Sequence, residues 1–366
     1  MENEQKPPPM PYISIPSYTI PKLSPWSEKM KKPPQPIDWV VERMLSAGDL
    51  TVMVGDGGVG KSWKAAHIAM KVTSGEMVDG EFKTKAGTVL WFDNENGPDE
   101  NDRRAWLLDR GKDFPQTRFN PYDVQFYEHY WRADEKGMDL LRALIKEVKP
   151  ILIIFDSLVS ILPEGKSEND AGEMRKVMDG ISKTLRFDDD NNQRQQKIAG
   201  LILHHTKKDQ TDYGSDDWPV FRGSGDIKNA ASFLITLRKK VFEKEGKEQE
   251  RIQFRWEKAR RGKRLEDVYE HALIDHGDPN TNEHWIEYQP YGKVRKYEAF
   301  IADEIANRYS IMEEFTKADL AEQIKGFPLE KSQQDTLIEK LIRQKAIKLK
   351  RMGTSHKPNL FTRVGS

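Results

Sequence analysis

Short runs of consecutive apolar residues alternate along this chain with longer stretches in which apolar residues recur at helical spacing. The runs LTVMV (50–54), GTVLWFD (87–93), DVQFYE (123–128), ILIIFD (151–156) and IAGLILHH (198–205) read as buried strands. Helical patterns stand between most of them, for example MDLLRALIKEV (138–148). Continuous apolar strands alternating with helices predict an α/β fold, a mostly parallel sheet covered on both faces. The later runs ASFLITLRK (231–239), RIQFRWEK (251–258) and DVYEHALI (267–274) follow one another with turns but no helices between them. They predict an antiparallel extension of the same sheet. No internal repeat is visible.

The two ends depart from this pattern. Half of the 20 prolines fall in the first 36 residues. Proline fixes φ and removes a backbone donor, so residues 1–36 are expected to form an extended arm that does not fold alone. Such an arm is either a solvated tail or, given Ile13, Ile15, Tyr18, Ile20 and Trp26, a segment that packs on a neighbouring subunit. Residues 37–290 form the α/β domain. In 295–366, KYEAFIADEIANRY, TKADLAEQI and EKSQQDTLIEKLIRQKAI have helical spacing, with Thr316 and Lys331-Ser332 near helix starts. IKLKRMGTSHKPNLFTRV then alternates like two short strands around a turn. Three helices followed by a hairpin predict a winged-helix domain.

Composition narrows the function classes. Lys plus Arg and Asp plus Glu both number 59, so only local clustering of charge can argue for nucleic acid. There is no cysteine, which excludes a disulfide framework, a cysteine zinc ribbon and a thiol nucleophile. No apolar run approaches the roughly 18 residues of a membrane span, and the N-terminus lacks a signal peptide's pattern. A cytoplasmic protein without a membrane partner is expected.

The chemistry begins at Gly55-Asp56-Gly57-Gly58-Val59-Gly60-Lys61-Ser62, which satisfies G-x-x-x-x-G-K-[ST] between a strand and a helix. The glycines let backbone N–H groups turn inward at a helix N-terminus, a site that favours phosphate. Lys61 is expected to reach the β- and γ-phosphates of ATP, and Ser62 to hold Mg²⁺. Asp156, ending the apolar strand ILIIFD, is placed to bind Mg²⁺ through water. Ser157 follows it, so the acid that orients the attacking water must come from elsewhere. Glu95, just past the strand GTVLWFD, is the candidate, with Asp93 as its competitor. Adjacent His204 and His205, if not both core residues, point to opposite faces of a strand, so at most one of them faces the nucleotide; His205 is favoured. No third ligand stands at zinc spacing.

An acid after the strand that follows the phosphate-loop helix, with a magnesium aspartate that has no acidic neighbour, resembles the RecA-like ATPases. The segment LILHHTKKD, in its His-His-Thr-x-Lys form, is similar to the RepA-type hexameric helicases of plasmids and their relatives in phages and mobile elements. The resemblance covers roughly residues 37–275. It takes in PIDWVVERMLSAGDLTVMVG, the loop, Glu95, Asp156, His204-His205, and FRGSGDIKNAASFLITLRK, which resembles that family's Arg-Gly-Ser segment. The resemblance implies a RecA-like core and a γ-phosphate sensor at His205. It also implies Arg222 as an arginine finger acting across a subunit boundary, and a Lys-x-Arg pair, Lys258 and Arg260, at the same boundary. Lys258 and Arg260 read equally as a solvated basic turn or a direct DNA contact. A site completed by a neighbour implies a ring or filament, most simply a homo-hexamer.

Nucleic-acid contacts have two candidate places. The polar stretch 206–221 follows the sensor strand; Lys207 and Lys208 suit phosphates, and Tyr213 and Trp218 suit base stacking. After Glu339 there is no acid, while Lys340, Arg343, Lys348, Lys350 and Arg351 fall on the third helix and the wing. That face suits duplex DNA or a replication-protein partner. The expectation is an ATP- and Mg²⁺-dependent DNA motor, a hexameric replicative helicase. The alternatives are an ATP-switched DNA-binding or loading protein and a recombinase-like filament ATPase.

Overall fold

A computed structural model describes residues 25–31, 33–110, 122–186, 197–206, 218–219, 225–244, 247–279, 281, 283–294, 314–316, 319, 347–351 and 360–363. The chain divides into two units, Met1–Ile37 and Asp38–Ser366. In the first, α1 (Trp26–Met30) is a single exposed helical turn within the arm expected to be extended. WSEKMKK is the longest proline-free run of that arm, and Pro25 stands at the N-cap, where its missing N–H costs nothing.

The second unit opens with a small antiparallel pair, β1 (Trp39–Val41) and β2 (Leu45–Ser46). The main elements follow as β3 (Leu50–Gly55), α2 (Lys61–Ser74), β4 (Val89–Asp93), α3 (Pro98–Arg110), β5 (Val124–Tyr127), α4 (Glu135–Val148), β6 (Leu152–Asp156), α5 (Ala171–Leu185) and β7 (Ala199–His205). Then come α6 (Gly225–Ala230), β8 (Phe233–Lys244), β9 (Lys247–Ala259), β10 (Tyr269–His276) and β11 (Trp285–Lys293). One nine-stranded sheet takes the order β11-β10-β9-β8-β3-β7-β6-β4-β5. Strands β8 through β5 in that order are parallel, and β9, β10 and β11 are antiparallel. This is the mostly parallel α/β sheet with an antiparallel extension that the apolar pattern predicts.

Alternation along the strands explains why both faces are covered. Met53, Leu152, Ile154, Leu201 and Leu203 pack in a core with α2, while Val52, Val54, Ile153, Phe155 and Ile202 pack in a second core with α4 and α5. Each central strand therefore buries both sets of its side chains. Helix starts are specified locally: Asp134 accepts from Gly137 N–H ahead of α4, and Asp170 from Glu173 N–H ahead of α5.

Strand β11 was not visible in the pattern because Pro290 and Gly292 interrupt it. At the outermost position of the sheet both are tolerated. Near the C-terminus, β12 (Glu314–Phe315), β13 (Ile347–Arg351) and β14 (Leu360–Arg363) form an antiparallel sheet in the order β12-β14-β13. β13 and β14 stand where the pattern places the two short strands. Thr316 N–H and hydroxyl both donate to the Asp319 carboxylate, and Asp319 N–H donates back to the Thr316 hydroxyl, the reciprocal bonding of a helix start. The rest of the three expected helices lies outside the described residues.

Two buried polar clusters tie the layers together. At the edge where the parallel strands begin, the Asp49 carboxylate accepts from Ser46 (2.6 Å), Ser232 (3.0 Å), Arg261 (2.5 Å) and Arg186 (3.1 Å). Burial pushes its pKa up, but the bonds from Ser46, Arg261 and Ser232 outweigh that and leave it lowered. The other cluster joins α2 to the antiparallel extension. Lys64 pairs with Asp79 and donates to the Tyr288 hydroxyl (2.8 Å), which in turn donates to Asp79 (2.9 Å). His67 stacks on the Tyr288 ring at 3.7 Å and His271 at 4.5 Å. Neither ring nitrogen of His271 has a hydrogen-bond partner.

These histidines make stability depend on acid. Burial first, then the Lys64 charge, holds both well below the ordinary value of 6.5. The unfolded chain takes up two protons below that value and the folded chain does not. Stability is therefore complete above pH 6.5 and falls as pH drops, by up to roughly 1.4 kcal/mol per histidine per pH unit. His271→Phe removes one of the two contributions together with two unsatisfied nitrogens. Urea melts at pH 5.5 and 7.5 are expected to show a smaller difference for His271→Phe than for the parent, with no loss of stability at pH 7.5.

Candidate active site

Four parallel strands end on the residues that make the site: β3 on Gly55, β4 on Asp93, β6 on Asp156 and β7 on His205. Register aligns them, with Gly55 opposite His205 and Asp93 opposite Asp156. An apolar strand that ends in a charged residue delivers that charge to the C-terminal edge, where ligands of such sheets bind.

The loop 55–60 turns into α2 through Gly60, whose φ is +95°. A Cβ there would also lie 2.7 Å from Ile252 Cδ1 of β9, so only glycine fits. A Cβ on Gly57 or Gly58 would meet nothing within 4 Å, which leaves the rim open toward a ligand. Lys61, only 7% exposed, donates to the carbonyls of Gly55 (3.0 Å) and Asp56 (2.9 Å). Burial lowers its pKa, against the opposing charges of Asp156, Glu95 and Asp56. Those carbonyls hold the ammonium where phosphate oxygens would take it over.

Ser62 hydroxyl donates to Asp156 at 2.6 Å. A hydroxyl and a carboxylate side by side beneath the phosphate loop are hard oxygen donors that fit Mg²⁺, which binds one or two protein oxygens and completes its shell from phosphate and water. Burial, then the neighbouring Asp93, pushes the Asp156 pKa up to about 7. A cation at this point removes that penalty. Among the described residues no group of three His, Cys, Asp or Glu is placed to hold a metal ion.

Asp93 and Glu95 have different occupations. Asp93 Oδ1 accepts from the N–H groups of Glu95 and Asn96, both at 3.0 Å, and from the Asn96 side chain at 3.1 Å. It builds the turn. Asn94 fastens the same turn by donating to the carbonyls of Trp131 (2.5 Å) and Ser160 (3.0 Å). Glu95 keeps 42% of its side chain exposed at the mouth of the site. A bond from His205, then one from Ser157, lowers its pKa to about 2 despite partial burial. It is a carboxylate at every working pH.

His205 connects the parts. Its Nε2 lies 3.5 Å from Glu95 and its Nδ1 3.4 Å from Lys61 Nζ. His204 faces the other way, fully buried, with Glu168 at 4.0 Å. The next residue, Thr206, donates its hydroxyl to Asp56 of the phosphate loop and its N–H to the Gly55 carbonyl. Thr206, Ser157 and Asn94 are site residues to which the sequence gave no role of their own, since their parts depend on partners distant in the chain.

Other candidates lie elsewhere. β9 runs antiparallel, so Lys258 pairs with Leu234 near the start of β8, level with the start of β3. Lys258 and Arg260 thus stand at the edge opposite the loop and take no part in their own chain's site. Lys258 donates to the carbonyls of Lys228 (2.5 Å) and Asn229 (3.2 Å), and Arg260 donates to Asn229, capping α6. Burial, with Arg260 and Lys228 nearby, lowers the Lys258 pKa. Trp218, offered to bases by the sequence, has the guanidinium groups of Arg238 (4.4 Å) and Arg255 (4.3 Å) against its ring. A base would have to compete with them. Lys348, Lys350 and Arg351 lie on β13. Lys207, Lys208, Tyr213, Arg222, Lys340 and Arg343 lie outside the described residues.

Comparison with known proteins agrees with this geometry. The AAA domain family model matches residues 17–211, more than half of the chain. The match includes the loop, Glu95, Asp156 and His205, and ends before Arg222, Lys258 and Arg260. No curated protein matches the chain. Among the described residues no helix is long and apolar enough to cross a membrane. With a matching family model and a phosphate loop set at the C-terminal edge of a parallel sheet, the chain belongs to the AAA domain family of P-loop ATPases.

Proposed function

We propose that this chain is the subunit of an ATP- and Mg²⁺-dependent DNA motor, a hexameric replicative helicase of the RepA type that couples hydrolysis to movement along single-stranded DNA. The observation that carries this reading is the division of labour at the strand ends. Asp156 stands with Ser62 for the metal, while Glu95 stands apart on its own turn, joined to Lys61 through His205.

Loop N–H groups would receive the phosphates of ATP, and Lys61 would exchange the Gly55 and Asp56 carbonyls for phosphate oxygens. Bound Mg²⁺ supplies neutralisation of charge on the transferring phosphoryl group. Glu95 orients the attacking water from the open side of the site. Its low pKa suits orientation better than early proton removal, and phosphoryl transfer demands positioning above all. His205 touches both Lys61 and Glu95, and Thr206 binds the loop at Asp56. A change at the γ-phosphate would therefore reach the start of the 207–221 segment directly. Lys207, Lys208, Tyr213 and Trp218 are proposed to grip the single strand there, in the ring's channel.

Arg222 is proposed as the finger that a neighbouring subunit inserts. Lys258 and Arg260 support a boundary role, because they are too far from their own phosphate loop to serve it. Residues 295–366 are proposed as a winged-helix module that docks duplex DNA or a replication partner through Lys340, Arg343, Lys348, Lys350 and Arg351. The Thr316–Asp319 helix start and the β13–β14 pair support it.

Forked duplex with ATP and Mg²⁺ tests the reading as a whole: strand displacement is expected, and assembly on DNA without displacement would favour a loading switch instead. Lys61→Ala is expected to abolish hydrolysis. Glu95→Gln is expected to bind ATP with Mg²⁺ normally yet turn over at least about a hundredfold more slowly. Normal hydrolysis by Glu95→Gln, with loss in Asp93→Asn, would move the water-orienting role to Asp93.

Mixing separates cis from trans. Arg222→Ala and Lys61→Ala proteins combined in varying ratio are expected to give ATPase activity that departs from linearity, because each site draws on two chains. Repeating the titration with Arg260→Ala identifies which arginine crosses the boundary; a strictly linear response from both removes the shared site.

A further inference from the structure

The turn that carries Glu95 has a support from α3 that the motif pattern does not announce. Arg104, with 15% of its side chain exposed, reaches back beneath that turn. Its Nη2 donates to Asn96 Oδ1 at 3.1 Å, and its Nε donates to Glu100 at 2.9 Å, which fixes the guanidinium plane. Nη1 lies 3.8 Å from Asp93 Oδ2, and the guanidinium lies 5.8 Å from the Trp63 ring, next to Ser62. Asn96 in turn donates to Asp93 through its side-chain amide, and Asp93 holds the Glu95 N–H.

We propose that Arg104 is a positioning residue for ATP hydrolysis: it locks Asp93 and Asn96 into the turn that aims Glu95 at the attacking water. The inference rests on the reading of Glu95 as the water-orienting acid. Three features favour this part over simple packing. Arg104 bonds the turn at Asn96, pairs its charge with Asp93 of the same turn, and is oriented by Glu100 of its own helix, rather than packing on a core wall. Asp93, 1% exposed, has another carboxylate, Asp156, as its register partner, so a cation beside it keeps the two apart in charge as well as in space. The Trp63 contact sets the turn against the first turn of α2, which carries Lys61 and Ser62. An arginine fork meets Asn96 and Glu100 at once; a lysine can supply the charge but only one of those bonds.

Nothing in this role touches ATP, so the effect belongs in turnover rather than in binding. Displacement of a positioned group by about an ångström can slow a reaction by up to a hundredfold. Arg104→Gln is expected to lower kcat by about 10- to 100-fold, while the ATP KM and the affinity for a fluorescent ATP analogue stay within about threefold. Arg104→Lys should recover part of the loss. The deciding measurement is the double variant. If Arg104 acts through Glu95, then Arg104→Gln with Glu95→Gln is no slower than Glu95→Gln alone, because the positioned group is already gone.

Unchanged kcat in Arg104→Gln overturns the proposal. So does a fall in kcat that tracks a loss of nucleotide affinity and melting temperature in both Arg104 variants, or full multiplication of the two single effects in the double variant. Failure of the Glu95 reading is recognised separately, since Glu95→Gln would then hydrolyse ATP at the parent rate whatever Arg104 does.

Discussion

The site depends on keeping one buried ammonium among carboxylates without letting it collapse onto any of them. Lys61 feels Asp156, Glu95 and Asp56, yet its hydrogen bonds go to two carbonyls and the His205 ring, and to none of those carboxylates. A direct ion pair would be hard to break once desolvated; a pair of carbonyls is a weaker hold that phosphate can displace. The same crowding sorts the acids. Asp156, deep and beside Asp93, is raised to about 7 and gains from a cation. Glu95, at the mouth and beside His205, is lowered to about 2 and stays charged. Two carboxylates of one site thus have opposite electrostatic needs, set by depth and neighbours rather than by residue type.

Much of this was legible in the sequence, for a definite reason. A parallel strand buried on both faces reads as an unbroken apolar run, so the first polar residue after it marks the sheet's C-terminal edge. Asp93 and Asp156 were found that way, His205 by the alternate facing of two adjacent histidines, and the glycine loop by its spacing. What separated Glu95 from Asp93 was a hydrogen-bonding pattern, two backbone N–H groups captured by Asp93, that spacing cannot reveal. Arg104 was silent because it lies on an amphipathic helix where an arginine ordinarily faces water.

Other surroundings turn on neighbours that are distant in the chain. Trp218 stands in a polar stretch and looks available to a base; its ring meets arginines from β8 and β9 that are distant in sequence. Strand β11 carries a proline and a glycine that argue against a strand unless its place at the sheet's border is known. Lys258 and Arg260 follow a strand whose direction the apolar run does not reveal; β9 runs antiparallel and delivers them to the edge away from the phosphate loop.

The Lys64–Asp79–Tyr288 cluster bears on which parts of the fold are held fast. Its charges are about 1% exposed, and pulling one away from the other would leave an uncompensated ion in the protein interior, at a cost of about 3–5 kcal/mol. α2 and β11 are therefore joined one helical turn beyond Lys61, so the helix behind the phosphate loop is braced from the antiparallel side. The other flank of the site, the Glu95 turn and the end of β7, meets solvent and has no such brace among its contacts described above. The antiparallel extension is thus a buttress for the phosphate-loop helix, and the parallel strands present the site's side chains from their ends.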